Sequence, residues 1–237
     1  MLSVCTEKNF DLAFMIDGSA SLNQWGENNY KKIINATRNI ISLFSDNDQT
    51  KFGIVVYATT ADVRADFSFT RSQVDAVLAN MSYPSGWTRI GTGLNTTRED
   101  LFTGGRQNTH RILVVFTDGT SVDGVSVASQ LLHDTNVTII VIGLGEWYDI
   151  NQVQRMASDP KAETILLTTP NKLQGVEWRI HEMICKGKKC CLYFQVGRKV
   201  VVDVVCFYSG PALLTTNIVL FANRYHLMED NKPPTFT

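Results

Sequence analysis

Asp17, Ser19 and Ser21 place one carboxylate and two hydroxyls at alternate positions, directly after the apolar run Phe10-Asp11-Leu12-Ala13-Phe14-Met15-Ile16. Such a near-continuous run reads as a strand buried on both faces of a parallel sheet. Ligands of open α/β sheets bind just past the carboxyl ends of these strands, and Asp-x-Ser-x-Ser falls there. Carboxylate and hydroxyl oxygens form a hard donor set, suited to a divalent cation such as Mg²⁺ or Mn²⁺ rather than to zinc or copper. Ca²⁺ ordinarily gathers more oxygens than this set offers.

Two later stretches add to the set. The buried run Arg111-Ile112-Leu113-Val114-Val115-Phe116-Thr117 stops at Asp118-Gly119. Between the two runs, Pro84-Ser85-Gly86-Trp87-Thr88-Arg89-Ile90-Gly91-Thr92-Gly93-Leu94 carries Thr88 on a Gly-flanked loop that enters a helix. Any one of these residues has an ordinary role in capping a turn. In this order, the stretches resemble the von Willebrand factor type A domain. Its metal-ion-dependent adhesion site is written Asp-x-Ser-x-Ser, then a Thr, then the Asp of a Thr-Asp-Gly turn. Asp17, Ser19, Ser21, Thr88 and Asp118 match all five positions.

The resemblance covers about residues 5–185. It is nearest to the extracellular-matrix branch of matrilins and non-fibrillar collagens, through Val141-Ile142-Gly143-Leu144-Gly145, Met156-Ala157-Ser158-Asp159-Pro160 and Ile184-Cys185. It implies hydroxyl ligation of a cation, Mg²⁺ first, by Ser19, Ser21 and Thr88, with Asp17 and Asp118 acting largely through bound water. It also implies a partner Asp or Glu completing the coordination, offered by a matrix protein or cell-surface receptor. The implied setting is secreted and extracellular. Termini of doubly wound domains often lie close together, and the matrix branch implies the same pairing, Cys5 with Cys185; two unrelated thiols is the alternative.

The elements that must position these residues alternate. Strands are predicted over Phe10–Ile16, Lys51–Ala58, Arg111–Thr117, Val137–Leu144 and Thr164–Leu167, with a short edge piece near Val63–Phe67. Helical patterns fall at Tyr30–Phe44, Arg71–Ala79, Gly91–Phe102, Ser126–Asp134, Ile150–Ala157 and Asn171–Cys185. In the first, Ile33, Ile34, Thr37, Ile40, Ile41 and Phe44 recur at three and four, the stripe of a helix lying on a sheet. The expected fold is α/β: a doubly wound, mostly parallel central sheet with helices on both faces and one short antiparallel edge strand. Loops on the predicted ligand face carry Trp25, Trp87, Glu146, Trp147 and Tyr148, a candidate partner-binding rim. The alternative is that two or more of the aromatics pack sideways onto neighbouring helices.

The chain has 237 residues, 44% of them hydrophobic, and a formal charge of −1, enough for one sizeable domain and an extra segment. Residues 1–185 are net acidic, which argues against nucleic acid as a partner. Residues 186–237 are net basic through Lys186, Lys188, Lys189, Arg198 and Lys199. There the alternation stops, and strand-like runs at Val200–Val205 and Asn217–Phe221 flank Ser209-Gly210-Pro211. A membrane segment, part of another module and a tail foreign to the domain all remain open for this region; Asp203 and the central Gly-Pro count against the first. No apolar leader precedes Cys5, so the chain is expected to be a piece of a longer protein. Sequons at Asn35, Asn80, Asn95 and Asn136 suit a secreted glycoprotein.

Catalysis is disfavoured. Asp17-Gly18-Ser19 lacks the second acid that a strand-end phosphatase nucleophile wants two residues on. No Gly-x-Ser-x-Gly elbow or phosphate-binding loop is present, and His110, His133, His181 and His226 sit in no catalytic motif. The competing classes are an intracellular type A domain acting as an assembly scaffold and a metal-dependent hydrolase.

Overall fold

The computed structural model describes residues 9–24, 26–45, 49–146 and 148–185, together with the backbone of 193–196 and 199–202. Six strands form one sheet: β1 (Phe10–Asp17), β2 (Lys51–Tyr57), β3 (Ala61–Ala65), β4 (His110–Thr117), β5 (Val137–Leu144) and β6 (Ile165–Thr168). Their order is β3-β2-β1-β4-β5-β6, with β3 antiparallel to β2 and every other pair parallel. β1 is therefore the point where the winding reverses, since the chain moves from it to β2 on one side and later to β4 on the other. That reversal opens the crevice in which open α/β sheets bind ligands.

Alternation along the strands divides the core in two. Leu12, Phe14 and Ile16 face Ile33, Ile40, Val74, Leu78, Ile180 and Ile184, from α1 (Asn29–Ser42), α2 (Arg71–Ala79) and α7 (Glu177–Cys185). Ala13 and Met15 face Ile90, Leu94, Leu132, Val153 and Met156, from α3 (Ile90–Thr96), α4 (Ser126–Asp134) and α5 (Ile150–Met156). A single turn, α6 (Lys161–Thr164), leads into β6. All eight residues of β1 are buried, as expected of a strand covered on both faces. α2 starts on a Thr70–Gln73 capping box.

Most elements begin and end within two residues of expectation, and three depart in form or placement. The helix predicted over Gly91–Phe102 is α3 followed by a π turn at Thr97–Leu101 and a 3₁₀ turn at Phe102–Gly104. The one predicted over Asn171–Cys185 is a 3₁₀ segment, Pro170–Gly175, with non-helical Gln174, and then α7; Pro170 and Gly175 bracket the break. The edge strand ends at Ala65, because Asp66 accepts from the Ser68 backbone and closes a turn. Cys185, the last residue of α7, is in a disulfide; Cys5 lies outside the described residues. A separate hairpin, β7 (Tyr193–Val196) with β8 (Lys199–Val202), overlaps the strand-like run expected from Val200, while Asn217–Phe221 lies outside the described residues. Among the described residues no helix is long and apolar enough to cross a membrane.

Candidate metal site

Asp17 closes β1 fully buried, in register with Tyr57 at the end of β2. Its Oδ1 accepts from the Ser19 N–H at 2.8 Å, and its Oδ2 accepts from the Tyr57 hydroxyl at 2.9 Å. The first contact is the local turn an Asp makes with the amide two residues on, and it aims the following hydroxyls back at the strand end. Ser19 Oγ lies 3.0 Å from Ser21 Oγ, and Ser21 Oγ donates to Asp118 Oδ1 at 2.9 Å. With its proton committed to Asp118, Ser21 accepts from Ser19. The Asp118 N–H points to Asp17 Oδ2 at 3.4 Å, so four of the five sequence-identified residues form one ring of contacts across β1 and β4.

Thr88 joins from the β3-side crossover. A Cβ built on Gly119 would sit 3.8 Å from both Ser21 Oγ and Thr88 Oγ1, so the two hydroxyls converge over that glycine. The Thr88 loop is anchored on both flanks: before it the Gly86 carbonyl accepts from the Ala20 N–H at 2.9 Å and the Trp87 N–H donates to Thr59 Oγ1 at 3.0 Å, and after it the Arg89 N–H donates to the Ala58 carbonyl at 3.2 Å. Gly86 has φ +124°, and a Cβ there would fall 2.4 Å from Thr59 Oγ1, so this position needs glycine on both counts. Tyr83 adds a further tie, its hydroxyl donating to the Ser19 carbonyl at 2.5 Å.

Electrostatically the site lacks a positive charge. Burial pushes the Asp17 carboxyl up, against hydrogen bonds from Ser19, Tyr57 and the Asp118 backbone. Burial, and next the neighbouring Asp17, push Asp118 up to about 7. No Lys or Arg pairs with either acid among the described residues. Two adjacent desolvated carboxyls without a counter-charge, ringed by hydroxyl oxygens, fit a hard dication. Among the described residues no three His, Cys, Asp or Glu side chains gather as a metal cluster, so the donor set is dominated by neutral oxygens.

The rim is uneven. Trp87 is 67% exposed beside Thr88, and Glu146 is exposed. Tyr148 is half-buried against the core, its ring within 3.2 Å of where a Gly143 Cβ would be, the sideways packing that was the alternative for these aromatics. Trp25 and Trp147 lie outside the described residues. Sequence reasoning missed Tyr57, Tyr83, Ser121, Val122 and Asp123. Val122 is 58% exposed, and its N–H donates to the Thr88 carbonyl at 2.9 Å. Only the Ser-x-Asp after Thr-Asp-Gly carried a local signal, since short polar residues two apart commonly bond one another's backbone.

Residues 11–178 match the von Willebrand factor type A domain, a span that contains all five site residues. The chain belongs to this family. Cochlin of Bos taurus is 32% identical to it over 190 residues, covering 78% of this chain and 33% of cochlin. Matrilin-1 of Bos taurus is 28% identical over 190 residues, 76% of this chain and 34% of matrilin-1. The type A domain also superposes on proximal thread matrix protein 1 from the mussel byssus, solved with a zinc-occupied MIDAS motif. There the TM-score is 0.69 at 25% identity, covering 76% of this chain and 46% of that one. This chain thus spans about a third of the length of the curated relatives it matches. All four sequon asparagines of the type A domain, Asn35, Asn80, Asn95 and Asn136, are exposed.

Proposed function

We propose that this type A domain is a non-enzymatic adhesion module of the extracellular matrix, docking an acidic partner side chain at the Asp17–Asp118 site. The observation that carries the reading is the ring from Asp17 through Ser19 and Ser21 to Asp118, with Thr88 Oγ1 approaching the same glycine. A divalent cation held there supplies an electrophilic position that a partner carboxylate can fill. Ser19, Ser21 and Thr88 turn neutral oxygens toward that position, leaving the charge of a dication only partly offset by protein. Asp17 and Asp118 hold the balancing negative charge one step back, and the Tyr57 hydroxyl fixes which way Asp17 faces. The oxygen set favours Mg²⁺ or Mn²⁺; the zinc of the mussel protein makes zinc the cation to compare.

The domain is assigned to residues 1–185, with 186–237 as an extension, and the protein is assigned to the secretory route. Similarity to matrilin-1 and to a byssal matrix protein supports that setting, as do the disulfide at Cys185, for which we assign Cys5 as partner, and the exposed sequons. The test is binding to a panel of immobilised matrix proteins, collagen among them. Binding to at least one should require Mg²⁺ or Mn²⁺ and be lost in Asp17→Ala and Thr88→Ala. Binding to the panel that persists undiminished in chelator and in both variants would refute the reading.

A further inference from the structure

The first amides of α3 have no cap of their own, since neither Arg89 nor any neighbour supplies a side-chain acceptor. Their acceptors come from the turn after Asp118. The Ile90 N–H donates to Ser121 Oγ at 2.9 Å, the Gly91 N–H to Asp123 Oδ1 at 2.8 Å, and the Thr92 N–H to Asp123 Oδ2 at 2.8 Å. The same carboxylate also accepts from Thr92 Oγ1 at 2.7 Å and from Ser121 Oγ at 2.6 Å. Four donors therefore converge on one acid, and the Val122 N–H holds the Thr88 carbonyl between them. The packing leaves no slack, for a Cβ on Gly91 would lie 2.3 Å from the Gly124 carbonyl oxygen.

Thr88 and Asp118 reach the site on separate crossovers, and the turn of residues 121–123 ties the two segments directly. The Gly86–Ala20 and Trp87–Thr59 contacts hold the loop before Thr88; the contacts that link the Thr88 segment directly to the one after Asp118 run through residues 88 and 90–92 on one side and 121–123 on the other. We infer that Asp123 is a positioning residue of the metal site, one that never touches the cation but sets the Thr88 hydroxyl against Asp118. The inference rests on the function proposed above. Burial alone would raise the Asp123 carboxyl, but hydrogen bonds from Ser121, Thr92 and Gly91 outweigh it and hold the group below the usual range, so it is ionised wherever the site works. Groups that orient ligands from one shell out typically change metal affinity 10–100-fold when altered.

The test is a double-mutant cycle on Mg²⁺ and Mn²⁺ affinity using wild type, Asp123→Asn, Thr88→Ala and the double variant. Asp123→Asn keeps the shape but turns an amide N–H₂ toward backbone donors. It should weaken both cations by about 10–100-fold in the wild-type background and by less than about threefold once Thr88 is gone, because coupled residues are non-additive. A metal-free readout accompanies it: in chelator, amide exchange at Gly91 and Thr92 should quicken in Asp123→Asn while β1 and β4 stay protected. Should Asp123→Asn fail to fold, Ser121→Ala carries the same cycle, since it removes the Ile90 acceptor and one Asp123 donor. Affinity matching wild type, or an equal loss with and without Thr88, overturns the inference while leaving the metal site standing. A wild-type chain that binds neither cation overturns both.

Discussion

The Tyr57 hydroxyl donates to Asp17 Oδ2 at 2.9 Å and lies equally close to the Phe116 carbonyl oxygen, so one buried phenol joins the ends of β2, β1 and β4. Burial, and next the charge of Asp17, keep that phenol neutral far above physiological pH, so it serves as a permanent donor. Tyr57→Phe preserves the ring and removes the one buried proton that the Asp17 carboxylate and the Phe116 carbonyl share. It should cost about 1–3 kcal/mol of stability, seen as a lower urea midpoint at unchanged m-value, and should weaken Mg²⁺ binding. A variant as stable as wild type would show that neither acceptor depends on Tyr57.

A second prediction concerns pH in the metal-free chain. Asp118 sits near 7 when folded against an ordinary value of 3.8, so between about pH 4 and 7 the folded state binds a proton that the unfolded state releases. Stability carried by this group is full below about pH 4 and is lost as pH rises through 7. In chelator, wild type should lose stability relative to Asp118→Asn across that window. Saturating Mg²⁺ should flatten the wild-type loss, because a dication beside the carboxyl favours its ionised form. A difference that grows in favour of wild type with rising pH would contradict this.

Gly86 tests the loop that presents Thr88. With φ +124° and Thr59 Oγ1 only 2.4 Å from any Cβ, Gly86→Ala must move the backbone whose carbonyl holds Ala20. A cost of about 1–3 kcal/mol is expected from the strained conformation, together with weaker cation binding by calorimetry. Unchanged affinity would mean the loop tolerates displacement without moving Thr88.

These cases mark what the sequence makes legible. Asp17, Ser19, Ser21, Thr88 and Asp118 could be read because each stands at a strand end or a Gly-flanked loop, where pattern alone fixes the face. Tyr57, Tyr83 and Asp123 act across 31 or more residues, and no local periodicity records such a contact. The winding was legible because apolar strands and striped helices alternate. The π turn at Thr97 was not, since the Thr97 hydroxyl bonding back to the Gly93 carbonyl leaves the apolar spacing almost unchanged. The rim aromatics were least legible, because Trp87 stands out while Tyr148 lies sideways over Gly143.

Asp11 provides a control at the opposite end of β1. It is fully buried and accepts from the Arg106 N–H at 2.7 Å and from Arg106 Nε at 2.8 Å. Arg106→Ala leaves that carboxylate without its counter-charge and should cost about 3 kcal/mol. Mg²⁺ affinity of the folded fraction should stay at the wild-type value, which would separate stability from site geometry. A parallel loss of affinity would instead tie the site to global stability.

The central claim is that three separate loops share one cation, and Mn²⁺ added to isotope-labelled protein tests it most directly. Paramagnetic broadening should be strongest at the amides of residues 17–21, 86–88 and 118–120 together, should vanish on adding chelator, and should be displaced by excess Mg²⁺. Broadening confined to one loop, or centred elsewhere on the domain, would contradict the account.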